Sequence, residues 1–343
     1  MKKLMNAAES IVDDMIDGYV SAFEQVVRGH QDPRIVVRAK GRKDPDRKVT
    51  LLIGNGSGHE PIAMGFVGAG LLDANVVGDV FAAPSADLIL DGIREVSGKA
   101  GCILLISQHS GDMINGRAAV MLAEEERLRV RALPMYDDIS SAPRDRMQDR
   151  RGAPGTMFVY KILGAAAEAG MPLDDLMALG RAVRARTVTL AAALSPGISP
   201  LTGQPMFDLP DDEIYLGMGV HGEPGIGRTG VGPVRDLVTL IVDKLLGDYP
   251  IASGGQAAVI VNGMGGTTLM ELLTVWNETR HALAARGIAA VAPMIGSFVT
   301  TQEMGGFSIS LLEPAGDMLR LWTAPSDTPF FPSIRHAEKE KSQ

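Results

Sequence analysis

Residues 48–61 read KVTLLIGNGSGHEP, an apolar run followed by a turn rich in glycine. The apolar residues 49–53 predict a buried β-strand. Three glycines within the next five residues predict a backbone that takes positive φ or approaches a ligand closely. A phosphate-binding P-loop would end such a turn with Gly-Lys-Ser/Thr, whereas this turn ends in His59 with no lysine after it. The stretch therefore predicts a strand whose exit turn presents an imidazole.

Strand-like and helix-like segments alternate around this stretch. Apolar positions at helical spacing predict an amphipathic helix within residues 6–28. Further strands are predicted at residues 35–39, 74–84, 101–107 and 130–138, and helical segments at residues 61–72, 85–96 and 115–128. This alternation predicts a three-layer α/β/α fold with a parallel sheet. Ligands of such folds gather beyond the carboxyl ends of the strands, where the turns 54–61, 82–85 and 107–115 fall.

A second α/β unit is predicted in the C-terminal half. Two helices are predicted at residues 156–170 and 173–187, and a β-rich segment opens at Val188. Residues 213–230 are interpreted as a strand, residues 256–288 as a strand followed by a helix, and residues 306–325 as a hairpin. We therefore expect an N-terminal domain at 1–186, a smaller two-layer α/β domain with a mixed sheet at 187–333, and a disordered tail at 334–343.

Composition restricts the class of protein. The chain has 343 residues and a formal charge of −8, with arginines scattered along it, which argues against a nucleic-acid partner. Its one cysteine, Cys102, lies in an apolar run and is interpreted as a buried structural residue. Acidic residues interrupt the N-terminal segment, so no signal peptide is predicted. No stretch of about 18 apolar residues is present, so no membrane span is predicted. We expect a cytoplasmic protein with a small ligand.

Two histidines occupy similar settings. Residues 219–227 read GVHGEPGIG, so His221, like His59, lies among glycines with Glu-Pro close behind. Only six histidines occur in the chain, which draws attention to this repetition. The repetition fits either a shared chemical role or two turn residues that form local hydrogen bonds.

A third candidate is the stretch SQHSGDMING at residues 107–116. Asp112 would lie at a strand-to-helix turn, where a carboxylate either caps backbone amides or accepts a proton from a substrate hydroxyl. His109 is ambiguous and is not predicted to be catalytic. Residues 262–268, NGMGGTT, fit an anion-binding turn or a plain tight turn. No metal-binding signature is present.

Together these segments resemble the K subunit of dihydroxyacetone kinase. The resemblance covers nearly the whole chain and rests on eight segments in the order and spacing of that family: HQDP, GNGSGHEP, GDVFAAPSAD, SGDMIN, RRGAPGT, GVHGEPGI, VNGMGGTTLMEL and GFSISLLE.

The resemblance implies roles for individual residues. His221 matches the histidine that holds the substrate ketone covalently, as a hemiaminal, and His59 matches the histidine that assists this addition. Asp112 matches the carboxylate that takes the proton from the hydroxyl being phosphorylated. The backbone of residues 56–58, which are Gly56, Ser57 and Gly58, matches the lining of the polyol pocket. Because only a neutral imidazole can add to a carbonyl, the anchor should weaken as pH falls through about 6–6.5.

The resemblance also implies partners. The substrate is a short ketose, and this chain itself is expected to bind no cofactor or metal. ADP or ATP with magnesium belongs to a separate L subunit that docks over the sugar pocket. The phosphoryl donor is either free ATP or a phosphotransferase-system protein. A homodimer is expected.

The chain departs from the family pattern around the pocket. Ser107 stands where the family has a lysine that contributes to dihydroxyacetone binding, and Asn55 and Ala83 replace a usual glycine and serine. These changes predict a larger or differently shaped ketose, such as erythrulose or a branched sugar, with dihydroxyacetone as the conservative alternative. Two other functions stay open: a ketose sensor that acts as a coactivator of a transcription regulator, without phosphoryl transfer, and an unrelated α/β sugar-binding module.

Overall fold

The computed structural model describes residues 2–332. Within them the chain forms two six-stranded sheets. The strands are β1 Val26–Arg28, β2 Ile35–Arg38, β3 Thr50–Ser57, β4 Ala74–Val80, β5 Cys102–Ser107, β6 Val130–Met135, β7 Thr187–Ser195, β8 Glu213–Leu216, β9 Gly227–Gly230, β10 Gln256–Gly263, β11 Ala289–Gly296 and β12 Gly305–Leu312. The helices are α1 Ile11–Ala22, α2 Ala86–Val96, α3 Ser110–Glu125, α4 Thr156–Glu168, α5 Leu173–Ala185, α6 Val234–Asp248, α7 Leu269–Ala284 and α8 Met318–Trp322.

The first sheet has the strand order β1-β2-β4-β3-β5-β6. Strands β4, β3, β5 and β6 are parallel, and β1 and β2 join one edge in antiparallel pairing. Alternate side chains of β3 point to opposite faces of the sheet. Leu51 and Ile53 pack in the core that contains α4 and α5, whereas Leu52 packs with α2 and α3. The predicted three-layer α/β/α fold with a parallel sheet is confirmed.

The second sheet is mixed, with the strand order β11-β10-β12-β7-β8-β9 and parallel pairing between β10 and β11. Helices α6 and α7 cover one face. The other face, with Ile260 and Leu312, packs into the same core as Phe158 of α4 and Trp322 of α8. Helix α4 therefore lies between the two sheets, and the predicted mixed sheet is confirmed.

Three element predictions are wrong. Residues 213–230, interpreted as a strand, form the antiparallel strands β8 and β9 with the loop of His221 between them. Residues 61–72 form only a short 3₁₀ turn, Met64–Phe66, because Gly68 and Gly70 take positive φ where the chain passes close to the backbone of residues 325–327. Residues 306–325 form β12 followed by α8 rather than a hairpin. Met318, Leu321 and Trp322 have the spacing of a buried helical face.

Other expectations are only partly addressed. The predicted N-terminal helix is confirmed over α1. The second sheet begins at Thr187, but the two sheets share one apolar core, and the division into domains at 186 and 187 stays a prediction. The tail at 334–343 lies outside the described residues. No helix within residues 2–332 is long and apolar enough to cross a membrane.

Lys161 of α4 is buried between the sheets, with 1% of its surface exposed. Its ammonium group donates to the carbonyl oxygen of Leu321 at 3.2 Å, and burial lowers the pKa of Lys161 to about 8. A folded-state pKa below the unfolded value means that the folded state is destabilised at pH 7 and gains stability as pH rises above about 8.

Replacing Lys161 by methionine should therefore raise the free energy of unfolding at pH 7 by about 1–2 kcal/mol. The gain from removing a buried charge exceeds the roughly 1 kcal/mol lost with the hydrogen bond. Urea unfolding at pH 7 and pH 10 measures this, and the difference from the native chain should shrink at the higher pH. Lys99→Met, at a lysine with an 86% exposed side chain, is the control. A Lys161→Met chain less stable than the native one at pH 7 would contradict the argument.

Candidate active site

A cavity of about 630 Å³ lies beyond the carboxyl ends of β3 and β5. All three turns predicted to meet there contribute to its lining, and residues 220–223 and Val299 approach from the second sheet. The cavity walls include His59, Asp112 and His221, together with Gly56 and Ser107. The structure thus brings together the three side chains predicted to be catalytic, although 162 residues separate His59 from His221.

His59 is positioned by the glycine-rich turn. Gly58 takes a φ of +98°, and a Cβ there would lie 2.5 Å from the ring of Phe81, which packs against the His59 imidazole. The Nδ1 atom of His59 lies 2.7 Å from the carbonyl oxygen of Thr300, which assigns the proton to Nδ1 and the lone pair to Nε2. Burial, aided by the charge of His221, lowers the pKa of His59 to about 3. His59 is therefore a neutral imidazole.

His221 lies in the loop between β8 and β9 and faces His59. The two Nε2 atoms are 3.0 Å apart. On the other side of the ring, Nδ1 of His221 lies 3.1 Å from Oε1 of Glu223, and the backbone N–H of His221 donates to Oε2 at 2.9 Å. Gly219 makes room for this contact, because a Cβ there would lie 2.2 Å from the carboxylate. Two Nε2 atoms at this distance must share a proton.

Glu223 also faces His109, whose Nδ1 lies 3.4 Å from Oε1. Burial acts to raise the pKa of Glu223, but its hydrogen bonds with His109 and His221 outweigh burial and hold that pKa well below its usual range. Burial acts to lower the pKa of His109, and the hydrogen bond with Glu223 outweighs it, so the pKa of His109 is raised. An ionised carboxylate therefore lies between two imidazoles.

Asp112 lies in the first turn of α3, where no side-chain cap forms within the described chain. The arrangement thus does not show the capping role that the sequence left open. Burial raises the pKa of Asp112 to about 6, with the charges of His109 and His221 acting in the opposite direction. A carboxylate with a raised pKa that faces a cavity is suited to accept a proton near neutral pH.

The loop at 297–302 connects the two histidines. Asn262 holds it, because its side chain accepts from the backbone N–H groups of Phe298 and Val299 at 2.9 Å. Thr300 then binds His59, and Thr301 donates to the carbonyl oxygen of Val220 at 2.9 Å, beside His221. The NGMGGTT segment ends in a capping box at α7, with Thr268 and Glu271, so its role here is structural.

Two predicted pocket residues lie elsewhere. Ser57 donates to the carbonyl oxygen of Gly78 at 2.9 Å and is almost fully buried. Ser57 and Gly58 border an adjoining cavity formed with the N-terminal segment, rather than the cavity that contains the histidines. Gly58 acts on the site indirectly, through the position of His59.

Sequence reasoning assigned no role to Glu223, His109, Phe81 or Thr300. The Glu-Pro that follows each histidine was a signal for Glu223.

These features define a two-sheet α/β protein with a histidine pair, a shared carboxylate and a buried aspartate around one small-molecule cavity. Residues 17–330 match the Dak1 domain family, and the chain belongs to that family. It is 39% identical, over 96% of its length and 99% of the relative's, to the dihydroxyacetone-binding subunit DhaK of PTS-dependent dihydroxyacetone kinase 1 from Listeria innocua. It is 36% identical to D-erythrulose kinase of Mycolicibacterium smegmatis, covering 96% of this chain and 56% of that enzyme.

Solved structures show the same fold. The dihydroxyacetone kinase of C. freundii in complex with AMP-PNP and Mg²⁺ superimposes with a TM-score of 0.88 and 32% identity, over 98% of this chain and 62% of that one. The dihydroxyacetone kinase operon co-activator Dha-DhaQ superimposes with a TM-score of 0.86 and 29% identity, over 92% of this chain and 97% of that one. The predicted membership of the dihydroxyacetone kinase K-subunit family is confirmed.

Proposed function

We propose that this chain is the ketose-binding subunit of a kinase and holds its substrate as a hemiaminal on Nε2 of His221. The observation that carries the proposal is the 3.0 Å contact between Nε2 of His221 and Nε2 of His59, with Glu223 on the far side of His221. Nδ1 of His221 is occupied by the Glu223 carboxylate, which leaves Nε2 as the nitrogen that can reach a ligand in the cavity.

The contacts supply the protons that the addition needs. In this proposal His221 starts with a proton on each ring nitrogen, one on Nδ1 toward Glu223 and one on Nε2 shared with His59. The Nε2 proton moves to His59, and the freed lone pair of the now neutral His221 attacks the carbonyl carbon of the ketose. The carbonyl π-bond breaks, and the oxygen takes the proton from His59. The product is an alkylated imidazolium whose Nδ1–H points to Glu223, so the positive charge of the adduct meets a carboxylate. His59 ends neutral, as it began.

Asp112 is the proposed base for phosphoryl transfer. A covalently held ketose has lost its rotational freedom, and its terminal hydroxyl can be presented to one carboxylate. Phosphoryl transfer rests mainly on positioning and charge stabilisation, so one base suffices on this side of the reaction. The nucleotide, ADP or ATP with Mg²⁺, is proposed to arrive on a separate L subunit, with free ATP or a phosphotransferase-system protein as the phosphoryl source. A homodimer is part of the same proposal.

The substrate is proposed to be dihydroxyacetone or a tetrulose such as erythrulose. Ser107 lines the cavity where the family has lysine, which leaves room for an additional hydroxymethyl group. Relatives of both kinds, a dihydroxyacetone-binding subunit and erythrulose kinases, have closely related sequences. Crystals soaked with each ketose in turn test the proposal: continuous density between Nε2 of His221 and a ketose supports it, and density for free ligand alone contradicts it.

Ser107→Lys should shift selectivity toward the smaller ketose. A lysine in the cavity wall removes volume and adds a cation, so the ratio of erythrulose to dihydroxyacetone affinity should fall by about tenfold, the effect of roughly 1.4 kcal/mol. Calorimetric titration of both sugars measures the ratio. Ser110→Lys, at an exposed position on the rim, is the matched control. An unchanged ratio in Ser107→Lys would show that this position does not determine ketose size.

A second candidate function is that of a ketose-sensing coactivator, favoured by the likeness to the co-activator Dha-DhaQ. Such a sensor requires the histidine pair but no base. Asp112 distinguishes the two functions. The rate of phosphoryl transfer is compared between the native chain and Asp112→Asn, with a nucleotide-carrying L subunit added. Equally low rates for the two chains with every L subunit tried favour the sensor. A large loss of activity on this substitution favours the kinase.

A further inference from the structure

One ligand atom from each of His109, His221 and Glu223 lies within 4.8 Å of the other two. Oε1 of Glu223 is 3.1 Å from Nδ1 of His221 and 3.4 Å from Nδ1 of His109. In a tetrahedral site with bonds of about 2.0–2.1 Å, neighbouring ligand atoms are separated by about 3.3 Å. These two separations are on either side of this value, and all three ligand atoms lie within 4.8 Å of one another, so a shift of the two imidazole rings would complete the site.

The outer nitrogen of each imidazole is already held. Nε2 of His109 lies 3.2 Å from the carbonyl oxygen of Gly152, so Nε2 can keep its proton when Nδ1 gives up its own to bind a metal ion. Nε2 of His221 faces Nε2 of His59, whose own proton is held by Thr300. Histidines that bind metals almost always donate their other ring N–H in this way. The second oxygen of Glu223 is held by the backbone N–H of His221.

We infer that Nδ1 of His109, Nδ1 of His221 and Oε1 of Glu223 form a binding site for a divalent transition metal ion of the Zn²⁺ or Co²⁺ type. Two imidazoles and one carboxylate are a ligand set for these ions, whereas Mg²⁺ and Ca²⁺ prefer oxygen ligands. All three residues line the cavity, so a water molecule from the cavity can take the fourth coordination position. Because the ion replaces the proton between His221 and Glu223, binding releases protons.

Metal binding and the proposed ketose adduct exclude each other. With the ion in place of the Nδ1 proton, passing the Nε2 proton to His59 would leave a metal-bound imidazolate instead of a neutral imidazole. That N–H is a much weaker acid, so the Nε2 lone pair is not freed for a carbonyl carbon. In the adduct, Nδ1 carries the proton that points to Glu223 and cannot bind the ion. A bound metal ion therefore inhibits formation of the ketose adduct. This inhibition rests on the proposed function, whereas the metal site itself does not.

Cobalt titration of the full chain tests the site. Co²⁺ in a tetrahedral site has intense visible absorption bands, and we expect one such ion per chain. His109→Gln and, in a separate variant, Glu223→Gln should each weaken Co²⁺ binding by about 10²-fold. His281→Gln, at an exposed histidine of α7, is the control and should bind as the native chain does. Matching circular dichroism spectra establish that each variant is folded.

Equal affinity of the native chain, His109→Gln and Glu223→Gln for Co²⁺, or only the weak bands of octahedral Co²⁺ in the native chain, would overturn the inference. Addition of excess dihydroxyacetone or erythrulose should bleach the tetrahedral bands. Bands that depend on His109 and Glu223 but persist with every ketose would uphold the metal site and contradict its exclusion of the adduct.

Discussion

Asp112→Asn should lower the rate of ketose phosphorylation by about 10²- to 10⁴-fold, the range expected for loss of a general base. The substitution should leave the ketose adduct on His221 intact, because asparagine occupies nearly the same volume and does not contact the Nε2 pair. Phosphoryl transfer is measured with an added nucleotide-carrying L subunit, and adduct formation is measured separately on this chain alone. Loss of both signals together would assign Asp112 a structural role instead.

The same role of Asp112 predicts how the phosphorylation rate of the native chain depends on pH. Because burial raises the pKa of Asp112 to about 6, the carboxylate is protonated below that value and cannot accept the hydroxyl proton. The phosphorylation rate at saturating ketose should therefore fall tenfold per pH unit below about pH 6. Asp112→Asn should lack this step. Asp149→Asn, at a second carboxylate of the cavity rim, is the matched control and should retain it. A flat profile between pH 5 and pH 7 in the native chain would contradict the proposed role.

His221→Ala should abolish the covalent adduct, and the remaining affinity for ketoses should come from hydrogen bonds alone. The rate of phosphorylation at low ketose concentration should fall by about 10²-fold or more, because the substrate is no longer oriented. The native preference for ketoses over glycerol should also be lost, since glycerol has no carbonyl group. Binding of dihydroxyacetone and glycerol to both chains is measured by calorimetric titration.

His281→Ala is the control for this substitution, because it removes an exposed histidine far along the chain. It should bind both compounds as the native chain does. A His221→Ala chain that is folded and still prefers dihydroxyacetone over glycerol to the native extent would show that the anchor is not His221.

Much of the fold follows from local patterns in the sequence. Buried parallel strands such as β3 and β5 are continuous apolar runs, and the helices that flank them carry apolar residues at helical spacing. Prediction was wrong where tertiary packing overrides the local pattern. Residues 61–72 are apolar enough for a helix, but their glycines pack against a segment more than 250 residues away. No local pattern indicates such a contact.

The candidate site was predictable only in part. The glycine turns and the family resemblance indicated His59, His221 and Asp112, and the structure brings all three to one cavity. The shared use of Glu223 by two histidines depends on how a loop of the second sheet meets the end of β5, which the sequence does not encode locally. The same holds for Ser57, which looks like a pocket residue in the motif but whose hydroxyl faces a neighbouring strand.

The most direct test of the central claim is carbon-13 NMR of dihydroxyacetone labelled at its carbonyl carbon and bound to the purified chain. A hemiaminal on Nε2 of His221 converts that carbon from trigonal to tetrahedral, so its bound resonance should leave the ketone region and appear among tetrahedral carbons that carry oxygen and nitrogen. The His221→Ala chain should show no such signal. A bound resonance that stays in the ketone region in the native chain would contradict the covalent anchor.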